Sequence, residues 1–489
     1  MSKAVVIVGA GLGGLSAAMH LRMKGFEVTV YEKNALVGGR ANRIEDRGFR
    51  FDTGPSLVNY PWVFEELFSA TGAQMRDYVE LLPLDPSVVF YWRDGAHLTL
   101  SADFDRMARD LSKFEHAAHV QLARWLATTQ ERFRFTFAHL VTSNAETVFQ
   151  WIRPVPKRGL VRLGITRSLD SELGRYFRSP YVRAALGSYA MYLGGSPYEL
   201  PGTFSILPFG ELYYGLWYPR GGIYALVEAI YRRAQELGVR VITNTPVRSI
   251  QVRDGRVTGI ELSDETFVPC EIVVSNVDVP TTHRMLKGAS IPRYRWTMTP
   301  GVITFYWGLK RKPGELHHHA IFLPADMRRA FDQLRTNIPE DLPFYTCLAT
   351  ATDPSLAPTG HHTMFVLVPT PTLSNARMIS DWSAVVDSVR TRVFERLAHH
   401  GFSIAQSDIV VEHVWTPIEW KERFGLYDGS AFGLSHALRH IGPLRAPNRD
   451  PNIQGLYYVG ASTTPGTGMP MVVLSGRMTA ERISNDVRG

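Results

Sequence analysis

A parallel-sheet α/β fold is what the opening of this sequence predicts, on three observations. Residues 4–8 (AVVIV) form an unbroken run of small and β-branched apolar residues, the pattern of a strand buried on both faces. Gly9, Gly11 and Gly14 follow at once and lead into helically spaced Leu15, Ala18, Met19 and Leu21, with Gly25 as terminator. A second apolar stretch, 27–31, then ends on Glu32. Strand, glycine turn, helix and second strand in this order make the first unit of a Rossmann-type sheet.

Each element has a chemical reason. The first glycine permits a tight turn, the second lets a phosphate approach the backbone, and the third lets helix pack on strand. Gly13 adds a further position without a side chain. The helix N-terminus offers unpaired N–H groups and a positive dipole end to a pyrophosphate. Glu32 can accept hydrogen bonds from ribose hydroxyls, and its charge disfavours a 2′-phosphate, so NADP does not suit this site.

The 489 residues exceed what one core organises, so two or three subdomains are expected. A composition of 45% hydrophobic and 20% charged residues is that of a folded globular chain. Cys270 and Cys347 cannot build a disulfide framework and neither lies in a CxxC pair, which fits a reducing compartment. The histidine runs 317–319 and 361–362 lack helical i,i+4 spacing with a following acid, so no metal site is expected. Neither a signal peptide nor a spanning helix is apparent; a cytoplasmic protein with at most peripheral membrane contact is expected.

Further glycine clusters follow the first unit and close the chain. Gly38-Gly39-Arg40 comes soon after Glu32, then Phe51-Asp52-Thr53-Gly54-Pro55-Ser56. Near the end, a short strand reaches Gly460, a loop carries Pro465, Gly466 and Gly468, and a helix is expected over 472–483 beyond Met469. Between them, 239–243, 247–252 and 257–262 read as strands, and 267–275 returns towards the first unit.

Together with Gly194-Gly195-Ser196-Pro197, 217–222 (WYPRGG), 273–278 (VVSNVD) and 352–358 (TDPSLAP), these segments resemble the amine oxidase and phytoene desaturase superfamily of flavoproteins. Within it, the chain resembles the bacterial-type phytoene desaturases nearly end to end. The resemblance implies an α/β fold with a Rossmann-type FAD-binding domain, a β-rich substrate region and a helical membrane-facing region. It implies FAD-binding parts at 1–75, 221–290 and 441–489, with substrate regions at 76–220 and 291–440. It also implies FAD contacts at Gly9, Gly11, Gly13, Gly14, Glu32, Gly38, Gly39, Arg40, Gly54, Pro55, Ser56, Val247, Gly460, Pro465, Gly466, Gly468 and Met469. Val247 would touch the adenine, though a buried valine is as readily plain core.

The implied reaction removes hydrogen from a long polyene such as phytoene, with hydride passing to the flavin. A substrate without polar handles must be held by apolar and aromatic residues. Region 187–224 supplies Tyr189, Met191, Tyr192, Tyr198, Phe204, Phe209, Tyr213, Tyr214, Trp217 and Tyr218. Candidates for catalysis are Arg153, Glu199 and Glu211. Arg153 matches an arginine of the family, but the acidic residue expected just before it is absent from 149–152. Oxygen and a quinone both stand open as electron acceptor. Related oxygenases, isomerases and saturases share these motifs, and an amine oxidase or a flavin-binding assembly factor without turnover are the more distant alternatives.

The net charge is +7, and 151–183 holds eight Lys/Arg against two acids. Just upstream, Leu122, Trp125, Leu126, Phe133, Phe137, Leu140 and Val141 share one helical face. Such a pairing suits contact with an anionic membrane surface. No nucleic-acid-binding module is recognisable, so DNA and RNA are excluded as partners.

Overall fold

The structure is a computed structural model that describes residues 3–289 and 296–488. Five parallel strands make the central sheet, in the order Leu456–Tyr458, Val273–Ser275, Ala4–Val8, Glu27–Tyr31, Arg240–Ile242. They come from three stretches of chain far apart in sequence, as the scattered glycine clusters predict. The first helix, Leu12–Met23, lies against the last, Met469–Arg488. Ser16 Oγ donates to the Val473 carbonyl at 2.7 Å, and a Cβ on Gly476 would stand 2.4 Å from that oxygen. The first and last turns of the chain are thereby locked into one layer.

Two further sheets flank this one. The smaller has four strands in the order Phe267–Pro269, Arg256–Leu262, Val247–Arg253, Leu286–Lys287. The larger runs Ile409–Trp415, Gly301–Leu309, His362–Thr370, Phe344–Cys347, His319–Phe322, Val88–Tyr91, His97–Leu100. Strand Gly301–Leu309 is buried throughout, which is why it reads as a continuous apolar run rather than an alternating one. One face of the large sheet packs Ile303, Phe305 and Trp307 under helix Trp382–His399, through Val386, Val389, Val393 and Leu397. The other face of the sheet, through residues such as Val302, Leu367, Tyr345 and Ile321, lines a cavity on the opposite side.

Helices between 104 and 214 roof that cavity. The longest, Ala118–Phe135, continues into a π-helical turn, Thr136–Val141. Its apolar stripe faces inward, not towards a membrane. Leu122 and Trp125 are fully buried, Phe133 is buried, and Phe137, Leu140 and Val141 line the cavity. The stripe is therefore core and cavity wall, packed by the same periodicity that would serve a membrane face.

The basic segment is partly neutralised as well. Arg183 pairs with Asp170 at 2.6 Å, Arg175 with Glu172 at 3.2 Å, and Arg162 with Glu131. The side chain of Arg158, one of the eight cations, lies outside the described residues.

One buried ion pair ties the roof together. Arg132 Nη2 meets Glu172 Oε1 at 2.6 Å, with both side chains almost wholly enclosed. The guanidinium also donates to the Arg162 carbonyl at 2.8 Å and to Ser205 Oγ at 2.5 Å. These bonds compensate the desolvation that makes a bare buried pair unfavourable.

Replacing Trp125 by Ala should cost roughly 3–5 kcal/mol in a denaturant titration, because it empties a fully enclosed site. Replacing the exposed Phe149 should change stability by less than about 0.5 kcal/mol. Equal effects at both positions would contradict the inward orientation of the stripe.

Candidate functional site

The first helix begins at Leu12 with Gly11 as its cap, a residue with no side chain to bond the helix end. N–H groups at its first turn therefore remain open to a ligand. The backbone around them leaves no room for side chains. A Cβ on Gly11 would stand 2.6 Å from Asn276 Oδ1, one on Gly460 2.6 Å from Asn276 Nδ2, and one on Gly14 2.3 Å from the Gly9 carbonyl. Asn276 is the organising residue that the motif search did not single out. Its Oδ1 accepts from the Gly14 N–H at 3.1 Å and its Nδ2 donates to the Val459 carbonyl at 3.0 Å. Its position just past strand Val273–Ser275, beside the first strand, was the available signal.

Glu32 caps the second strand and is buried. Its Oε2 accepts from the Ala10 N–H at 2.8 Å and its Oε1 from the Asn34 N–H at 2.9 Å. Both carboxylate oxygens keep further lone pairs for a ligand. Arg40 Nη1 donates to the Ala431 carbonyl at 2.7 Å, and a Cβ on Gly54 would stand 2.5 Å from the Arg40 carbonyl. The C-terminal loop has Gly460, Gly466 and Gly468 at φ of +107°, +142° and +113°, a region that favours glycine. His436 Nε2 accepts from the Thr467 N–H at 3.1 Å. Arg445, buried beside it, donates to the carbonyls of Leu434, Ala461 and Thr463, and burial lowers its pKa to about 9.

These pieces open onto one cavity of about 640 Å³. Sixteen of the seventeen predicted cofactor residues line it: Gly9, Gly11, Gly13, Glu32, Gly38, Gly39, Arg40, Gly54, Pro55, Ser56, Val247, Gly460, Pro465, Gly466, Gly468 and Met469. Gly14 does not; it permits the close helix packing instead. The cavity continues past Ser56 and Gly460 into an apolar chamber. Its walls include Tyr60, Phe137, Met191, Phe204, Ile321, Phe331, Phe344 and Leu367. Of the aromatic segment singled out in the sequence, Met191, Tyr192 and Phe204 reach the chamber. Tyr189, Phe209 and Tyr218 are buried off its lining, and Tyr213 is exposed.

The three acid–base candidates do not line the chamber. Arg153 is exposed, and Glu199 is exposed in an ion pair with Arg335. Glu211 is buried off the lining, with its Oε1 accepting from Tyr189 Oη at 2.5 Å and its Oε2 without a partner. Burial raises its pKa to about 7. In the first histidine run His318 and His319 are buried beside Cys347, and His317 is half-buried.

A split parallel sheet, an open helix N-terminus and a glycine-lined cleft continuous with an apolar chamber define a dinucleotide-binding oxidoreductase. The chain belongs to the flavin-containing amine oxidoreductase family, whose sequence profile matches residues 12–484. It is 37% identical to a zeta-carotene-forming phytoene desaturase of Myxococcus xanthus, covering 98% of this chain and 94% of that one. It is 32% identical to a 4,4'-diapolycopene oxygenase of Methylomonas, covering 100% and 99%. Among solved structures it resembles putrescine oxidase bound to putrescine, with a TM-score of 0.64, 17% identity and coverage of 100% and 99%. The chain is an FAD-dependent oxidoreductase, and the cradle described above has the space and the donors that FAD requires.

Gly11→Val should abolish FAD binding, since its side chain would enter the space between the loop and Asn276. Flavin absorbance of the purified variant, read beside its circular dichroism, tests this. Full flavin occupancy would remove the loop from the site.

Proposed function

We propose that this protein desaturates a carotenoid precursor such as phytoene. One observation carries the reading: the chamber beside the flavin cradle is apolar and holds no free carboxylate. Among the described lining residues the acids are Glu32 and Asp278. Glu32 binds two backbone N–H groups, and Asp278 accepts from Ser462 Oγ at 2.6 Å and the Tyr427 N–H at 3.3 Å. An amine cation entering the chamber would find no counter-ion, at a desolvation cost of several kcal/mol. A hydrocarbon needs no such partner and gains by burial. The names of the carotenoid-acting relatives agree with this chemistry.

In this reading the loop around Gly11 and the helix at Leu12 hold the pyrophosphate, Glu32 the ribose, and Val247 flanks the adenine. Gly38 to Arg40, Gly54 to Ser56 and the 460–469 loop enclose the flavin end. Bound FAD would supply the hydride acceptor. The protein's own contribution is to align an extended polyene along the chamber wall and exclude water from the reacting bond.

The substrate must come from a bilayer, and one end of the cavity suits that entry. The lining reaches Ser143, Trp151, Ile165 and Gly442. Beside this end Val148, Phe149 and Leu444 are exposed, Phe149 by 69%. Trp151 Nε1 donates to the Leu140 carbonyl at 3.0 Å, holding this helix to the cavity wall. Arg153 and Lys157 stand exposed next to it. We assign membrane contact to this rim rather than to the buried stripe of the long helix. Among the described residues no helix is long and apolar enough to cross a membrane.

Anaerobic addition of phytoene to the holoenzyme should bleach the flavin and yield a product with a longer conjugated chromophore. Bleaching by a diamine but not by phytoene would replace this reading with amine oxidation. Phe149→Ser with Leu444→Ser should weaken flotation with anionic vesicles by at least about tenfold, since each side chain buries on the order of 1.5 kcal/mol or more, while FAD content is unchanged. Undiminished flotation would place the contact elsewhere.

A further inference from the structure

Desaturation takes two hydrogens from adjacent carbons. One leaves with its electron pair as hydride; the other leaves as a proton, and the chamber wall must receive it. The sheet-side wall carries a group built for that. Tyr345 lines the chamber from strand Phe344–Cys347, and Ser56 faces it from the flavin end. Tyr345 Oη lies 2.7 Å from Ser56 Oγ and 2.7 Å from His319 Nδ1. The neighbouring strand sets this geometry: Ile321 pairs with Tyr345 and His319 with Cys347, so His319 and Tyr345 are diagonal neighbours on one sheet face.

We propose that Tyr345 and His319 form a phenol–imidazole relay that accepts the proton released on desaturation. This rests on the desaturase reading above. The C–H bond breaks, and its electron pair becomes the π bond of the new alkene as the hydride leaves the adjacent carbon. The proton moves to Tyr345 Oη while the phenol's own proton moves to His319 Nδ1. The products of the step are the alkene, a neutral phenol and an imidazolium. Once product leaves and water enters the chamber, the imidazolium returns its proton through Tyr345 Oη to that water. Tyr345 touches the substrate and is the catalytic residue; His319 acts through it.

Three observations support the assignment. Burial, with His318 beside it, holds the His319 imidazole well below its ordinary pKa, so it is neutral in the resting site. Burial also raises the Tyr345 phenol, so it keeps its proton until the relay operates. Among the described residues His319 Nε2 has no hydrogen-bond partner, so the imidazole's polar contact is the one to Tyr345 at Nδ1, and the relay uses the tautomer in which Nδ1 accepts from the phenol. A losing proton next to a departing hydride is strongly acidic, and a weak neutral base suffices.

The test uses anaerobic single-turnover flavin reduction of the holoenzyme by phytoene, in H₂O and D₂O. The wild type should show a normal solvent isotope effect, because the phenol proton exchanges with solvent and moves during the step. Tyr345→Phe keeps the ring and loses the relay. It should retain FAD and slow flavin reduction by at least about 10²-fold, with the solvent isotope effect gone. His319→Asn can still accept the tyrosine hydrogen bond but is no base, and should show the same two changes. Imidazole should restore part of the rate to His319→Ala. A merely structural dyad would lose rate without losing the isotope effect, and that result would overturn the relay. So would wild-type rates in both variants. Loss of the isotope effect in Glu211→Gln alone would place the acceptor with the buried carboxyl and overturn the proposal. A wild type that no carotenoid precursor bleaches would overturn the relay together with the desaturase reading, whereas normal wild-type bleaching with unaffected variants overturns the relay only.

Discussion

The architecture depends on how closely three backbones approach the Asn276 amide. The turn after the first strand, the end of strand Val273–Ser275 and the loop after strand Leu456–Tyr458 meet there. The Asn276 N–H adds a bond to the Val8 carbonyl at 2.8 Å. No Cβ fits at Gly11, Gly14 or Gly460, so the chain meets itself at these points only through glycine. The reward is a cluster of open N–H groups at one helix end, held by a side chain from 262 residues away. Both ends of the chain must be in place before that cluster exists, so the nucleotide site and the global fold form together.

From this point the cavity changes character in one direction. At the nucleotide end it is built from backbone donors, Glu32 and Arg40. Beyond Ser56 it is built from the cavity-facing residues of the large sheet and the inward stripe of the long helix. Polar groups in the second half are few: Tyr345 is bonded to both Ser56 and His319, whereas the buried hydroxyls of Thr136, Tyr192 and Thr203 have no partner among the described residues. A charged or strongly hydrated substrate pays for entry there, and an extended hydrocarbon does not. The roof can be this apolar because its ionic parts are satisfied internally: Arg132 and Glu172 sit inside it and bond to one another and to nearby backbone.

What the sequence disclosed and what it hid divide along a physical line. Local backbone demands are written in residue type, so strands Ala4–Val8 and Glu27–Tyr31 and the glycine positions were legible to the residue. Strand 239–243 was read one residue too long at each end, within ordinary fraying. Pairings across long distances leave no local mark. The Arg132–Glu172 pair, Asn276's double hydrogen bond and the Tyr345–His319 contact each join segments that no window of sequence spans. Glu199 and Glu211 illustrate the limit from the other side: they are twelve residues apart in one aromatic stretch, yet one is a surface ion pair and the other is sealed in the core.

The long helix shows why amphipathicity is an incomplete message. A 3.6-residue apolar stripe states that one face avoids water, and nothing about what replaces the water. In this chain the answer is the protein itself at Trp125 and the apolar chamber at Phe137 and Leu140. Phe149 and Leu444, two of the apolar residues that remain exposed, lie on a five-residue helix and a three-residue helical turn, with too few positions to generate a periodic signal. A rim made of such short elements is invisible to periodicity, and the membrane contact proposed for it rests instead on its place beside the cavity lining at Trp151 and Gly442. The proposed membrane contact therefore rests on where the cavity lining ends and not on the hydrophobicity of any helix.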